Sequence, residues 1–196
     1  FLGSVTLHSA ITRVGVGAFS NNTSLTTVVT RADFLESDAF ANCSNLSDLD
    51  LDEGTGYLEE GAFENCTSLL YVGIPLTLRG MNAPNVFAGC TNLKRFAVSF
   101  DHTVYSQVDG ILYSKDKSTL LYCPEAHTTY YYSLADETTI IASQAFRNNQ
   151  YTGTLVLPDG VTSLNPYAFY NAALSTIVLG PNVNVMGNKC LADCPN

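Results

Sequence analysis

Ala39-Phe40-Ala41-Asn42-Cys43-Ser44-Asn45-Leu46-Ser47-Asp48-Leu49-Asp50-Leu51 decides the fold, because Ala62-Phe63-Glu64-Asn65-Cys66-Thr67-Ser68-Leu69-Leu70-Tyr71-Val72-Gly73-Ile74 repeats its pattern. The pair Ala-Phe recurs at Ala18-Phe19, Ala145-Phe146 and Ala168-Phe169, with Val86-Phe87 and Cys190-Leu191 at equivalent places. A period of about 23 residues is the signature of a solenoid, in which each unit buries its apolar face against its neighbours.

Within each copy the apolar residues hold fixed places. Leu157, Val161 and Leu164 precede Phe169; Leu46, Leu49 and Leu51 follow Phe40, as Leu69, Val72 and Ile74 follow Phe63. Spacing of two at the end of each set is strand alternation, with every second side chain inward. Pro158-Asp159-Gly160 and the Asn/Thr/Ser clusters mark turns. The stretch around Ala-Phe leaves room for about one helical turn. Each coil is thus expected to run strand, turn, short extended stretch, single helical turn, then strand, and stacking pairs the strands in parallel.

The pattern Ala-Phe-x-x-Cys-x-x-Leu-x-x-Leu-x-Leu, followed by Pro and Val-x-x-Leu, resembles the BspA-type (Treponema-like) leucine-rich repeats, and the resemblance covers nearly the whole chain. It implies a surface or secreted protein that adheres to host or microbial partners. The fold expected is an α/β, β-rich leucine-rich-repeat solenoid: a right-handed superhelix with a parallel sheet and a β-hairpin insertion. It is read as a single domain over residues 1–196, with repeat blocks 1–100 and 133–196 and the insertion at about 101–132.

That insertion is where the spacing breaks, between Phe87 and Phe146. Val108-Asp109-Gly110-Ile111-Leu112-Tyr113 and Thr119-Leu120-Leu121-Tyr122 flank the polar Ser114-Lys115-Asp116-Lys117-Ser118, which reads as a hairpin. Tyrosines crowd the segment from Tyr105 to Tyr132, including the run Tyr130-Tyr131-Tyr132. Either their rings cover the joint between the repeat blocks, or they form an exposed patch for sugar or protein contact.

Of the chemistry-bearing residues, Cys43, Cys66 and Cys90 share one repeat position that elsewhere holds Asn22, Asn149 or Ala172. That exchange points to a tight buried slot for reduced thiols rather than to disulfides. Cys190 and Cys194 lack a second ligand pair for zinc. His8, His102 and His127 stand in separate segments, none beside a recognised nucleophile, and His8 falls at a turn. Asp48, Asp50 and Asp52 alternate with leucines as a strand would, which does not match a calcium loop. Asn22, Asn42, Asn45 and Asn65 begin formal glycosylation sequons that are also the turn consensus of the repeat. No catalytic residue, metal ligand or cofactor is expected.

Outward strand positions read Thr27, Val29, Arg31; Asp48, Asp50, Asp52; Tyr71, Gly73, Pro75; and Arg95, Ala97, Ser99. Asp48, Asp50, Tyr71 and Arg95 combine acids, an aromatic and a base in adjacent coils, and are the expected binding residues. In a chain of 196 residues, 46% are hydrophobic, enough for a sizeable core. A net charge of −9 argues against nucleic acid and anionic membranes as partners, and no apolar run is long enough for membrane insertion. Phe1-Leu2-Gly3-Ser4 does not read as a signal peptide, so any signal or anchor is expected outside this segment. The function expected is a non-catalytic extracellular or cell-surface module for protein interaction and adhesion. Its partner would be a protein or a host or microbial surface ligand. The alternatives are a structural spacer in a larger surface protein, or a glycan-binding module acting through the tyrosine-rich insertion.

Overall fold

The computed structural model describes residues 2–128 and 134–195. The chain forms two compact units, Phe1–Val104 and Tyr105–Asn196.

In the first unit, β1 (Ser4–Thr6), β3 (Thr27–Thr30) and β5 (Asp48–Leu51) make a three-stranded parallel sheet, with Val5, Val28 and Leu49 in register. β7 (Tyr71–Ile74) and β9 (Arg95–Val98) form a parallel pair, Val72 beside Phe96. Alternation is cleanest in β7, where Val72 and Ile74 are buried while Tyr71 and Gly73 are exposed. A second parallel sheet consists of two-residue strands: β2 (Arg13–Val14), β4 (Phe34–Leu35), β6 (Tyr57–Leu58) and β8 (Gly80–Met81). Val14, Leu35 and Leu58 form its buried row. Both sheets therefore turn their apolar row towards one interior.

The third wall of each coil is the Ala-Phe segment. Phe19, Phe40, Phe63 and Phe87 stack with ring centroids 5.0, 5.3 and 5.5 Å apart and nearly parallel planes. That spacing sits just above the separation of hydrogen-bonded strands, so the strand pitch sets the ring pitch. Phe40, Phe63 and Phe87 are wholly buried.

The expected helical turn is absent: no helix occurs among the described residues, and the α/β label gives way to an all-β solenoid coil. Left-handed backbone is the reason. Residues two before and two after the phenylalanine have positive φ, as at Gly17 and Asn21, Asp38 and Asn42, Gly61 and Asn65. A right-handed helix cannot run through such points. The segment is instead a string of tight turns in which alternate amides have different duties. Ala39 N, Ala41 N and Cys43 N close local turns onto Glu36 O, Asp38 O and Phe40 O. Asp38 N, Phe40 N and Asn42 N reach the next coil, at Glu60 O, Ala62 O and Glu64 O. Every amide donor of this buried-to-surface turn is thereby used.

An asparagine column decorates the turns: Asn42 Nδ2 donates to Asn21 Oδ1 at 3.2 Å, and Asn65 Nδ2 to Asn42 Oδ1 at 2.9 Å. At Gly89 (φ 72°) the column ends, because Asn65 Oδ1 lies 2.1 Å from where a β-carbon would stand.

The second unit opens with an antiparallel meander of β10 (Tyr105–Val108), β11 (Ile111–Ser114) and β12 (Thr119–Tyr122). The hairpin around Ser114–Ser118 is present, but the run read as one strand, Val108–Tyr113, is folded back at Asp109-Gly110. Their φ values of 51° and 85° suit a two-residue hairpin turn with positive φ at both central positions. β12 continues in parallel into β13 (Ile140–Ile141), β15 (Ser163–Leu164) and β17 (Val185–Met186), giving six strands. β14 (Thr154–Val156) and β16 (Thr176–Val178) form a separate parallel pair. Phe146 and Phe169 stack at 4.8 Å within a core that includes Tyr113, Leu120, Leu155 and Leu164.

Candidate functional site

Pairing of β7 with β9 puts Tyr71 directly beside Arg95 on the outer face of the first unit, and the Arg95 guanidinium lies over the Tyr71 ring, 4.8 Å from its centroid. Tyr71 is 49% exposed, so the contact is made at the surface rather than in the core. Asp48 and Asp50 are also exposed, on β5 of the neighbouring coil, in register with Thr27 and Val29. The four expected residues thus lie in adjoining coils, with Tyr71 and Arg95 in contact. Among the described residues no carboxylate lies within ion-pair distance of Arg95, and no cation within that distance of Asp48 or Asp50.

The outward set differs from expectation at one position. Pro75 is buried, and the chain turns away after Ile74. Arg31 and Asp52 belong to the rim and satisfy each other: Arg31 Nε donates to Asp52 Oδ2 at 2.6 Å, and this bond holds the Asp52 carboxyl below its ordinary range. Just beyond β7 and β9 stand Leu76 and Phe100, the latter 93% exposed. Sequence reasoning passed over Phe100 because it lies outside the strand pattern; its flanks, Ser99 and Asp101, are the signal that it sits in a turn.

A second surface column went unseen. Along β2, β4 and β6 the outward residues Arg13, Phe34 and Tyr57 stack, Phe34 on Tyr57 at 4.9 Å, with Arg13 over Phe34 at 4.6 Å and Arg79 over Tyr57 at 4.9 Å. Here each guanidinium has its own carboxylate, Glu36 for Arg13 and Asp33 for Arg79. The column is self-satisfied. Its charges are answered within the fold, unlike those of Arg95, Asp48 and Asp50.

Cys43, Cys66 and Cys90 are buried and unbridged. Their slot does bond, however. Cys43 Sγ, Cys66 Sγ and Cys90 Sγ donate to Phe19 O, Phe40 O and Phe63 O of the preceding coil at 3.2, 3.3 and 3.2 Å. Asn149 serves the same purpose, donating from Nδ2 to Pro124 O of the preceding stretch at 2.9 Å, whereas Asn22 donates within its own coil, to Phe19 O at 2.8 Å. The position is a donor slot, which explains why Cys exchanges with Asn. Burial pushes the Cys43 thiol up and the Cys66 thiol up to about 12, the reverse of a reactive cysteine.

Among the described residues no group of three or more His, Cys, Asp or Glu side chains could hold a metal ion. His8 is exposed, while His102 and His127 are buried. Of the insertion tyrosines, Tyr105 and Tyr113 are core residues, and burial pushes the Tyr113 phenol well up. Tyr130, Tyr131 and Tyr132 lie outside the described residues. Among the described residues no helix is long and apolar enough to cross a membrane.

Short parallel strands, stacked phenylalanines and a variable outer face define the class: a leucine-rich-repeat β-solenoid. The chain belongs to the BspA type leucine-rich repeat family, whose pattern matches six copies over residues 1–108 and 122–196. Three solved structures share the fold at 22% identity. A leucine-rich repeat protein from Eubacterium ventriosum has a TM-score of 0.72, covering 94% of this chain and 56% of that one. The pneumococcal vaccine antigen PcpA gives 0.73, covering 98% of this chain and 60% of that one. A leucine-rich cell surface protein from Faecalibacterium prausnitzii gives 0.65, with 98% and 65% covered. The chain therefore spans less than two thirds of the length of these relatives. No curated protein matches the chain in sequence.

Proposed function

We propose that the chain is a non-catalytic protein-interaction module, secreted or displayed at a cell surface, that adheres through the outer face of β5, β7 and β9. The observation that carries this reading is the Arg95–Tyr71 stack with unanswered charge beside it. A preformed cation-on-aromatic pair on a sheet is rigid, so little side-chain entropy is lost on binding. Aromatic and arginine side chains are also the types that dominate interface energetics. Asp48 and Asp50 give the face a second sign, which suits a partner of mixed charge and steers its approach. Similarity to a cell surface protein and a vaccine antigen supports the location.

The test is a panel of immobilised extracellular-matrix proteins and whole bacterial cells, probed with the intact chain and with a Tyr71→Ala, Arg95→Ala double variant. At least one surface should capture the chain, and the double variant should bind about fivefold more weakly or worse, the ~1 kcal/mol typical of such contacts. Capture by none, or unchanged capture of a folded double variant, overturns the reading.

A further inference from the structure

Gln144, Tyr167 and Lys189 occupy one position in three successive turns of the second unit, and all have positive φ (60°, 61° and 53°). In the first unit this position holds Gly17, Asp38 and Gly61. Glycine and aspartate are at home there, whereas a tyrosine meets the full clash of its β-carbon with the backbone. Burial does not compensate, since Tyr167 is 38% exposed. A strained bulky residue kept at the surface is a pointer to use.

Its surroundings form a site. The Tyr167 and Tyr170 rings meet edge to face at 5.6 Å and 68°. Arg147 lies 5.7 Å over Tyr170, and its Nη1 donates to Gln144 Oε1 at 2.7 Å. These four side chains line a cleft of about 340 Å³. Arg147 faces a neutral amide, and among the described residues no carboxylate lies within ion-pair distance of it. Asp193, an acid beside the cleft, is hydrogen-bonded to the Tyr170 hydroxyl and pushes that phenol up. Most of its planar fork of donors is therefore free for an anion, as is the Gln144 amide nitrogen. The backbone offers a ligand no free amide here: Gln144 N, Tyr167 N and Phe146 N bond to the next coil, and Ala145 N, Arg147 N and Tyr170 N close local turns. An extended peptide would find no edge to pair with. Recognition must run through aromatic faces, a guanidinium and an amide.

We propose that the Gln144–Arg147–Tyr167–Tyr170 cleft binds a carboxylated pyranose of an acidic glycan, a uronic or sialic acid residue. The carboxylate lies against Arg147, the apolar C–H face of the ring against Tyr167, and a hydroxyl on the Gln144 amide. This site is independent of the Tyr71–Arg95 face and does not rest on it.

The experiment titrates the intact chain with tri-galacturonate against maltotriose, and with 3′-sialyllactose against lactose, following tyrosine fluorescence and amide chemical shifts. One acidic sugar should bind at least tenfold more tightly than its neutral counterpart, and the two arms tell uronic from sialic acid. Arg147→Ala should weaken that binding at least tenfold. Tyr167→Gly should do the same while melting at or above the wild-type temperature, because glycine relieves the left-handed strain. Equal binding of neutral and acidic sugars, no binding at 10 mM on the order of the weakest specific sites, or binding that survives Arg147→Ala overturns the proposal. So does Arg147-dependent capture of a proline-rich peptide in place of the sugars.

Discussion

The thiol of Cys66 and the backbone amide of Cys43 donate to the same oxygen, the carbonyl of Phe40, each at 3.3 Å. One bond lies within the coil and the other joins it to the next, so both acceptor sites of a buried carbonyl are filled. The cysteine column is thus a series of cross-coil rivets made with a weak donor, repeated by Cys90 on Phe63 and by Cys194 on Phe169.

Cys66→Ala should lower stability by about 1–2 kcal/mol, combining a lost buried bond with a small void. Cys66→Ser, which keeps a donor, should cost less, and urea unfolding of the two variants checks the order. Because the folded thiol titrates near 12 against 9.0 when free, its contribution is whole below pH 9.0 and declines as pH rises towards 12. In the native state Cys66 should resist a thiol reagent at neutral pH and react at the full rate in denaturant.

Phe63 has a ring on each side, Phe40 and Phe87, and no exposed surface. Phe63→Ala should cost ~3–5 kcal/mol. Phe19→Ala should cost visibly less, since Phe19 stacks on Phe40 and is only half-buried. Thermal melts of both variants measure the gap, and equal losses would mean that neither the second ring nor the fuller burial of Phe63 adds stability.

Gly89→Ala places a β-carbon against Asn65 Oδ1 and demands positive φ of an alanine. A loss of about 2 kcal/mol is expected. Adding Asn65→Gly should recover the steric part, because Asn65 itself has φ 58°, and leave the conformational part. A double variant no better than Gly89→Ala would show that the asparagine side chain is not the obstacle.

At the hairpin tip, Asp116 accepts from the hydroxyls of Ser114 and Ser118 and from Ser118 N at 2.7, 2.8 and 3.1 Å. These bonds hold its carboxyl below the ordinary value of 3.8. The turn is therefore supported above that value and loses the support as pH falls through the lower folded one. The protection factor of the Ser118 amide, the intrinsic exchange rate at a given pH over the observed one, should fall in acid, and Asp116→Asn should leave that factor independent of pH.

Strand positions and the phenylalanine column were legible because both are set by burial, which stamps a period on the sequence. The turn was not. Two residues before the phenylalanine position the left-handed site is filled by Gly17, Asp38, Gln144, Tyr167 and Lys189, and no single residue type announces it. Two residues after, the recurring Asn21, Asn42, Asn65, Asn148 and Asn171 do carry the signal, which the turn-rich surroundings masked. A five-residue span between apolar markers is equally compatible with a helical turn until the φ values are seen. Asp109-Gly110 did carry its hairpin signal, but the β-prone residues on either side made one long strand the simpler reading. On the candidate face the outward residues could be named from alternation, whereas the Arg95–Tyr71 stack needed the register. Arg147 and Tyr170 meet across coils at a position outside the apolar pattern, so nothing in the linear sequence paired them.

The division of labour among the turn amides has an electrical consequence. Within each unit the cross-coil donors of this wall, such as Phe19, Phe40, Asn42 and Phe146, all point towards the following coil, and the acceptor carbonyls all point back. Their peptide dipoles, ~3.5 D each, are aligned rather than alternating. The wall is a voltage gradient laid along the stacking direction, with its sense opposite to that of an α-helix followed from N- to C-terminus. An anion travelling over the turns of either unit is drawn towards the later coils.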